Sequence, residues 1–332
     1  MPYDIDAAGT VSLGTHKVSV PRTISPAAQA YLSRAPWGDE PLPEEPIPMW
    51  YLREHVDAQM IALGEHILTS YPVKIEEIEI AGVRCHMVSP HDLPPENADK
   101  VLINLHGGAF VLGSGSLVEA IPVANLAKVR VIAVDYRLAP EHPFPAAVDD
   151  VVAVYRSVLE HHTPNNVGIF GTSAGGFITA QTIMRLAKEG LPSPALAGVF
   201  TAGGQLDDMG DTAQIFTLSG FYGHHDLPSD HEMSEVAAYL RGADHADPLV
   251  SPIRGDVSIF PPTLLVSGTR DALLSVTASF HLALRRANVD AELYVFEAMP
   301  HGHWFLMDLP EAREAVDVMV RFFLEHLGEK SA

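Results

Sequence analysis

The sequence has one cysteine and few basic side chains, and both scarcities narrow the classes of protein that it can encode. Cys85 has no second cysteine to pair with, which excludes an intrachain disulfide, and its apolar, strand-like surroundings favour a packed thiol over a nucleophile. Only 21 lysines and arginines oppose 42 aspartates and glutamates, and the formal net charge of −21 repels nucleic-acid phosphates and anionic membrane surfaces. We therefore expect neither a nucleic-acid partner nor a membrane partner.

Long apolar runs are also missing. No run reaches the roughly 20 residues that a membrane-spanning helix needs. The first six residues have neither the basic nor the apolar region of a signal peptide, so we expect a cytoplasmic protein. With 332 residues and 47% hydrophobic content, the chain is long enough for one large domain with elaborations.

From residue 101 onward, apolar strand-like runs alternate with helical stretches. The runs are 101–105, 129–134, 167–170, 196–201, 263–267 and 291–296. This alternation predicts a mainly parallel sheet with helices on both faces, and ligands then bind beyond the carboxyl ends of its strands. Residues 73–80 and 83–88, joined by a turn, predict a hairpin of antiparallel edge strands.

Two segments do not fit this alternation. Residues 1–70 are interrupted by prolines and have helix-like pieces at 25–33 and 49–70. Residues 203–250, with a helix-like piece at 232–241, are too long for a simple crossover. Both segments are therefore predicted to belong to a cap over the sheet.

This division predicts three parts of the chain. Residues 1–70 form the N-terminal helical part of the cap, 203–250 form an inserted cap segment, and 71–202 with 251–332 form the α/β domain. Aromatic side chains of the cap are expected to wall an apolar pocket. They are Trp37, Trp50, Phe216, Phe221, Tyr222 and Tyr239.

The stretch 171–176, Gly-Thr-Ser-Ala-Gly-Gly, lies between a strand-like run and a helix-like stretch. In that context a G-x-S-x-G turn is typical of a nucleophile elbow, which holds its serine, here Ser173, in a strained conformation with the hydroxyl exposed. Crowding explains Gly171 and Gly175, since side chains there would collide where strand and helix pass closely. The bare pattern also occurs by chance in glycine-rich turns, so its meaning depends on the rest of the chain.

A serine hydroxyl is a poor nucleophile unless a histidine accepts its proton and a carboxylate orients that histidine. Asp271 follows the fifth strand-like run, and His301 and His303 follow the sixth. All three would lie at the same edge of the sheet as Ser173. The order Ser, Asp, His is the one expected for α/β-hydrolases.

Only one of the two histidines can point at the serine. We favour His301, because it lies nearest the strand end and Gly302 leaves room beside it. We expect His303 to pack with Trp304 and Phe305.

A second glycine-containing turn follows the first strand-like run. Its sequence is His106-Gly107-Gly108-Ala109. Consecutive glycines let backbone N–H groups turn inward without Cβ clashes, so Gly107, Gly108 and Ala109 are predicted to form an oxyanion hole with Ala174.

Together these motifs resemble the hormone-sensitive-lipase-like branch of the α/β-hydrolases, the bacterial family IV carboxylesterases, over about residues 100 to 327. The resemblance implies an α/β-hydrolase fold, with a mostly parallel central sheet, helices on both faces and a helical cap. The motifs that carry it are HGGAF (106–110), DYRLAPE (135–141), FPAA (144–147), GTSAG (171–175) and PTLLVSGTRD (262–271).

The resemblance implies a serine carboxylesterase that hydrolyses short- to medium-chain esters through an acyl-enzyme. Ser173, Asp271 and His301 would form its triad, and His106 would support the oxyanion loop. An amidase or arylformamidase with the same triad is the alternative, and an intact triad disfavours a non-enzymatic ligand receptor. Ala109 departs from the commoner third glycine of the family motif.

The expected partner is a small-molecule ester, and whether two copies form a homodimer is left open. Neither a metal nor an organic cofactor is implied. The histidine pairs 161–162 and 224–225 have no cysteine or carboxylate cluster at ligand spacing, so we expect them to be solvated.

Overall fold

A computed structural model describes residues 4–5, 11–13, 16–33, 49–214 and 232–328. In it, eight strands form one sheet. In chain order β1 to β8 are Val73–Ile80, Val83–Pro90, Val101–Leu105, Arg130–Val134, Val167–Thr172, Leu196–Phe200, Thr263–Arg270 and Ala291–Pro300. Their spatial order in the sheet is β8-β7-β6-β5-β3-β4-β2-β1. Three short strands, not predicted from the sequence, form a separate antiparallel sheet: Asp4–Ile5, Val11–Leu13 and His16–Val18.

Strands β3 to β8 pair in parallel, whereas β1 with β2 and β2 with β4 pair in antiparallel fashion. The predicted hairpin and the predicted mainly parallel sheet are both confirmed. Of the two hairpin strands, however, only β1 lies at an edge of the sheet, because β2 pairs with β4 on its other side. All six predicted strand-like runs from residue 101 onward correspond to strands of this sheet.

Nine α-helices lie in the described ranges, and they include every predicted helical stretch. Helix α3 continues α2 through a π-helical turn, Arg53–Asp57, which the sequence did not predict. In chain order α1 to α9 are Pro26–Leu32, Met49–Leu52, Ala58–Ser70, Ala120–Ala127, Ala146–Val158, Ala174–Lys188, Glu232–Leu240, Leu274–Arg286 and Pro310–His326.

The sheet buries apolar side chains on both faces, because successive residues of a strand point to opposite sides. In β3, Ile103 belongs to the core under α5, α6 and α8, whereas Leu102 belongs to the core under α3, α4 and α9. In β5, Ile169 and Phe170 divide in the same way. Helices therefore cover both faces, as the alternation in the sequence predicted.

The start of α6 passes very close to the end of β3. A Cβ on Gly175 would lie 1.9 Å from the carbonyl oxygen of Leu105, and one on Gly171 would lie 2.4 Å from the same oxygen. Real Cβ atoms do not approach backbone that closely. The predicted crowding at both glycines is therefore confirmed, and it explains why the turn between β5 and α6 needs them.

We expect Gly175→Ala to lower the free energy of unfolding by about 1–3 kcal/mol, because backbone rather than a flexible side chain must move. Gly64→Ala is the matched control. The atom nearest to a Cβ on Gly64 is Ile121 Cδ1, at 3.8 Å. Alanine inside α3 should therefore stabilise the protein by roughly 0.5–1 kcal/mol. Chemical denaturation of both variants measures the difference, and equal stabilities would contradict the crowding argument.

Candidate active site

Ser173 lies at the sharp turn between β5 and α6. Its backbone angles are φ 58° and ψ −122°, a conformation that a residue with a side chain rarely adopts. The side chain is half-buried, and the first N–H groups of α6 have no intrahelical partner. The strained serine turn predicted from the sequence is thus present, with free N–H groups beside it.

Asp271 and His301 follow β7 and β8 and form a buried pair. Nδ1 of His301 lies 2.9 Å from Asp271 Oδ1, so the ring donates a hydrogen bond to the carboxylate. The carboxylate also accepts hydrogen bonds from Ser267 Oγ at 2.6 Å, from the backbone N–H of Leu273 at 3.0 Å and from the Thr201 hydroxyl. The carboxylate is therefore held from several directions, and it fixes the orientation of the imidazole.

Thr201 is a residue of this cluster that sequence reasoning missed. Its Oγ1 donates to Asp271 and lies 3.0 Å from His301 Nδ1, and its φ is 42°. It directly follows β6, at the sheet edge where Asp271 and His301 also lie. That position was the available signal, but a threonine there is too common to be singled out.

The structure pairs His301, and not His303, with Asp271. His303 is completely buried, with its ring 4.9 Å from that of Phe296 and 5.1 Å from that of Trp304. Burial lowers the pKa of His303 to about 3, so this imidazole is neutral at physiological pH. The expected packing of His303 with Trp304 is confirmed.

The glycine-containing loop after β3 runs beside the serine. A Cβ on Gly107 would lie 3.5 Å from Cβ of Ser173. Gly108 has a φ of 127°, and a Cβ there would lie 2.2 Å from the carbonyl oxygen of Leu112. Ala109 adopts a φ of 50° in the same turn. Since this backbone is strained and close to Ser173, its N–H groups are candidate oxyanion donors together with that of Ala174.

His106 is fixed beneath this loop. Its ring stacks on Tyr136, with ring centres 4.2 Å apart and planes 9° from parallel, and the Tyr136 hydroxyl donates to the His106 carbonyl at 2.7 Å. Burial lowers the pKa of His106, so the ring is neutral. Nδ1 lies 2.8 Å from the Gly107 carbonyl oxygen, which can only accept, so the proton is on Nδ1. These contacts support the predicted bracing role.

A cavity of about 490 Å³ lies over these groups. Ser173, His301, Ala174 and the loop 107–109 all line it. Much of its wall comes from the segments predicted to form the cap. The contributing side chains there are Tyr31, Val56, Met60 and Leu63 from the N-terminal segment and Leu206, Met209 and Val236 from the insertion.

The expected aromatic wall is wrong at the two positions that the structure describes. Trp50 is 66% exposed. Tyr239 is buried, and its ring stacks on that of Phe110 with ring centres 3.9 Å apart. Its hydroxyl donates a hydrogen bond to Gln181 Oε1 at 2.6 Å, which links α7 to α6. Neither residue lines the cavity. The other four lie outside the described residues: Trp37, Phe216, Phe221 and Tyr222.

A buried carboxyl group, Glu119, also lines the cavity, and sequence reasoning missed it. Its Oε1 accepts from Trp304 Nε1 at 3.1 Å and from the Thr172 hydroxyl, and its Oε2 accepts from Asn104 Nδ2 at 3.3 Å. Burial raises the pKa of Glu119, and the three hydrogen bonds offset only part of this effect, so that the pKa is about 7. The only signal in the sequence was one acidic residue within the apolar run 117–124.

The raised pKa of Glu119 predicts how stability depends on pH. Between about pH 4.5 and about pH 7 the folded state holds a proton that the unfolded state has released, so this group's contribution to stability falls as pH rises through that window. Glu119→Gln cannot ionise. The difference in melting temperature, wild type minus Glu119→Gln, should therefore decrease from about pH 5 to about pH 8. A constant difference across that range would contradict the raised pKa.

In the described ranges, no group of three or more histidine, cysteine, aspartate or glutamate side chains is arranged to hold a metal ion. His162 Nδ1 lies 2.7 Å from the Asp99 carbonyl oxygen, and residues 224–225 lie outside the described ranges. Cys85 is buried in β2, where burial raises its pKa to about 12. None of the helices in the described part of the chain is both long and apolar enough to span a membrane.

The sheet order and the serine turn define an α/β-hydrolase. A family model of the alpha/beta hydrolase fold matches residues 102–305. An acetyl-hydrolase of Streptomyces hygroscopicus is 33% identical over 240 residues, which cover 71% of this chain and 79% of that protein. An esterase of Acinetobacter venetianus is 29% identical over 270 residues, covering 75% and 82%.

Solved structures give the same result over more of the chain. One esterase crystal structure superposes with a TM-score of 0.83 at 32% identity, covering 96% of this chain and 99% of the other. An esterase from the bacterial hormone-sensitive lipase family superposes with a TM-score of 0.74 at 29% identity, covering 87% and 94%. The chain belongs to the α/β-hydrolase family, in its hormone-sensitive-lipase-like branch.

Proposed function

We propose that the protein is a serine carboxylesterase, in which Ser173 is the nucleophile, His301 the general base and Asp271 the group that orients the base. The observation that carries the proposal is that the strained Ser173 and His301 line the same cavity, while the buried Asp271 is hydrogen-bonded to His301 from behind. The names of the relatives, esterase and acetyl-hydrolase, support carboxylic esters as the substrates.

In the first half-reaction, His301 Nε2 accepts the proton of Ser173 Oγ as that oxygen attacks the ester carbonyl carbon. Asp271 accepts the Nδ1–H of His301 and stabilises the imidazolium that forms. The tetrahedral oxyanion receives hydrogen bonds from the N–H groups of Gly107, Gly108, Ala109 and Ala174. The imidazolium then protonates the leaving alcohol, and an acyl-enzyme remains on Ser173.

In the second half-reaction, His301 accepts a proton from water as the water oxygen attacks the acyl carbon. The same backbone N–H groups stabilise the second oxyanion. Collapse of this intermediate releases the carboxylic acid and returns the proton to Ser173. The chain's own side chains and backbone thus supply every catalytic group of the cycle, which consumes only a small-molecule ester and water.

The substrate is covered by the two cap segments, residues 1–70 and 203–250, above the α/β domain of residues 71–202 and 251–332. Support comes from the cavity wall, since α3 and the insertion contribute Met60, Leu63 and Met209 to it. Aliphatic and methionine side chains of this kind suit an acyl chain and offer it few hydrogen bonds.

Ser173→Ala tests the proposal directly. The substitution removes one oxygen from a half-buried position, so the fold should survive while hydrolysis of a short p-nitrophenyl ester falls at least about 1,000-fold. His301→Ala should lose activity to a similar extent. His303→Ala is the matched control, since removing this buried ring should lower the melting temperature and leave kcat nearly unchanged.

Circular dichroism and melting temperature accompany each rate measurement. Wild-type activity in a folded Ser173→Ala protein would exclude the proposed nucleophile. Loss of kcat in His303→Ala, with His301→Ala active, would move the base to His303.

The cavity predicts a limit on acyl length. Each buried methylene contributes about 0.8 kcal/mol until the wall is reached, after which further carbons clash. We therefore expect the highest kcat/KM on roughly two- to eight-carbon acyl esters, measured with a p-nitrophenyl ester series.

A pair of adjacent residues in α3 provides the control for chain length. Met60 lines the cavity, whereas Ile61 is 48% exposed. If the acyl chain lies against α3, Met60→Ala should move the optimum to longer chains and Ile61→Ala should not. A wild-type preference for long-chain triglyceride emulsions would contradict the proposed cavity limit.

A further inference from the structure

We propose that Glu119 is a positioning residue for Ser173 and His301, because its carboxyl group ties the end of the nucleophile strand to the turn that follows the histidine. This inference rests on the proposed function, since it assigns Glu119 a part in holding the two reacting groups together. Glu119 itself is not required to touch the ester.

The first tie runs to the nucleophile. Thr172 directly precedes Ser173, and its side chain is completely buried. Its hydroxyl donates to Glu119 Oε1. Because Ser173 has strained backbone angles, its conformation depends on contacts that hold the neighbouring residues in place. Glu119 is one of these contacts, reaching across from α4 to the end of β5.

The second tie runs to the histidine. Trp304 lies three residues after His301, in the 3₁₀ turn His303–Phe305, and is 1% exposed. Its indole Nε1 donates to Glu119 Oε1 at 3.1 Å and lies 3.0 Å from Thr172 Oγ1. Glu119, Thr172 and Trp304 therefore form a closed triangle of polar contacts that links the turn after β8 to the end of β5.

An acceptor is needed at the centre of this triangle. The indole N–H can only donate, and the Asn104 amide donates to the second oxygen of Glu119 at 3.3 Å. An apolar side chain at position 119 would remove the acceptor of the Thr172 hydroxyl and of the Asn104 amide, and would leave the indole with Thr172 Oγ1 alone. Glutamine at position 119 would keep one acceptor oxygen, so the contacts with Thr172 and Trp304 should depend on this acceptor more than on the charge of the carboxyl group.

The test compares Glu119→Ala, Glu119→Gln, Thr172→Val and the double variant Glu119→Ala/Thr172→Val. Concentrations of competent sites are fixed by titration with an organophosphate, and kcat and KM are measured per site on p-nitrophenyl butyrate. We expect Glu119→Ala to lower kcat about 10- to 100-fold with KM changed less than about threefold, the pattern of misplaced catalytic groups. Glu119→Gln should recover most of the loss.

The double variant distinguishes this positioning role from a general loss of structure. If Glu119 acts through Thr172, the double variant should be no slower than the slower single variant. Tyr155→Phe is the matched control. It removes a buried hydroxyl that donates to the Pro192 carbonyl oxygen at 3.0 Å, away from the cavity lining. Its kcat should be unchanged although its melting temperature falls.

Several results would overturn the inference. The first is an unchanged kcat in Glu119→Ala, and the second is a Glu119→Gln variant as slow as Glu119→Ala. The third is additive effects in the double variant. The fourth is a rise in KM without a fall in kcat in Glu119→Ala, which would place Glu119 against the substrate. If Glu119→Ala yields no folded enzyme, an unchanged kcat in both Thr172→Val and Trp304→Phe overturns it instead. Failure of the proposed function differs from all of these, because Ser173→Ala would then hydrolyse the ester like the wild type.

Discussion

The close passage of α6 over the end of β3 is the constraint on which the rest of the site depends. Gly171 and Gly175 both face the carbonyl oxygen of Leu105 at distances that no Cβ could occupy. Because Leu105 is followed at once by the loop 106–109, the same close contact brings that loop beside the strained turn at Ser173. Ser173 and the candidate oxyanion donors are therefore held next to each other by backbone packing.

Hydrogen bonds to two buried carboxyl groups, Asp271 and Glu119, also hold the site together. Asp271 accepts from two hydroxyls, a backbone N–H and His301, whereas Glu119 accepts from a hydroxyl, an indole and an amide. Each carboxyl group accepts hydrogen bonds from segments that are distant in the sequence, so each links these segments. The partners of Asp271 hold the carboxyl group that pairs with His301, and those of Glu119 connect the surroundings of His301 and Ser173.

The sequence was sufficient to predict the eight strands of the main sheet, the serine turn and the order Ser173, Asp271, His301, because local periodicity and turn chemistry determine them. It was not sufficient for Thr201 and Glu119, whose importance arises from contacts with residues far away in the chain: 70 positions from Thr201 to Asp271, and 53 and 185 positions from Glu119 to Thr172 and Trp304. Trp50 was misplaced for a related reason. An aromatic residue in a helix can face the cavity or the solvent, and tertiary packing decides which.

The candidate reacting groups and the cavity wall are supplied by different parts of the fold. The candidate reacting groups lie on loops at the carboxyl edge of the sheet, whose central strands are buried, whereas much of the cavity wall comes from α3 and from the insertion before α7. A change at Met60 or Met209 alters the space available to substrate without moving the strands that carry the reacting groups. Substrate range can therefore change while the positions of Ser173 and His301 stay fixed, whereas the proposed role of Glu119 implies that a change there would displace these two groups from within the same cavity.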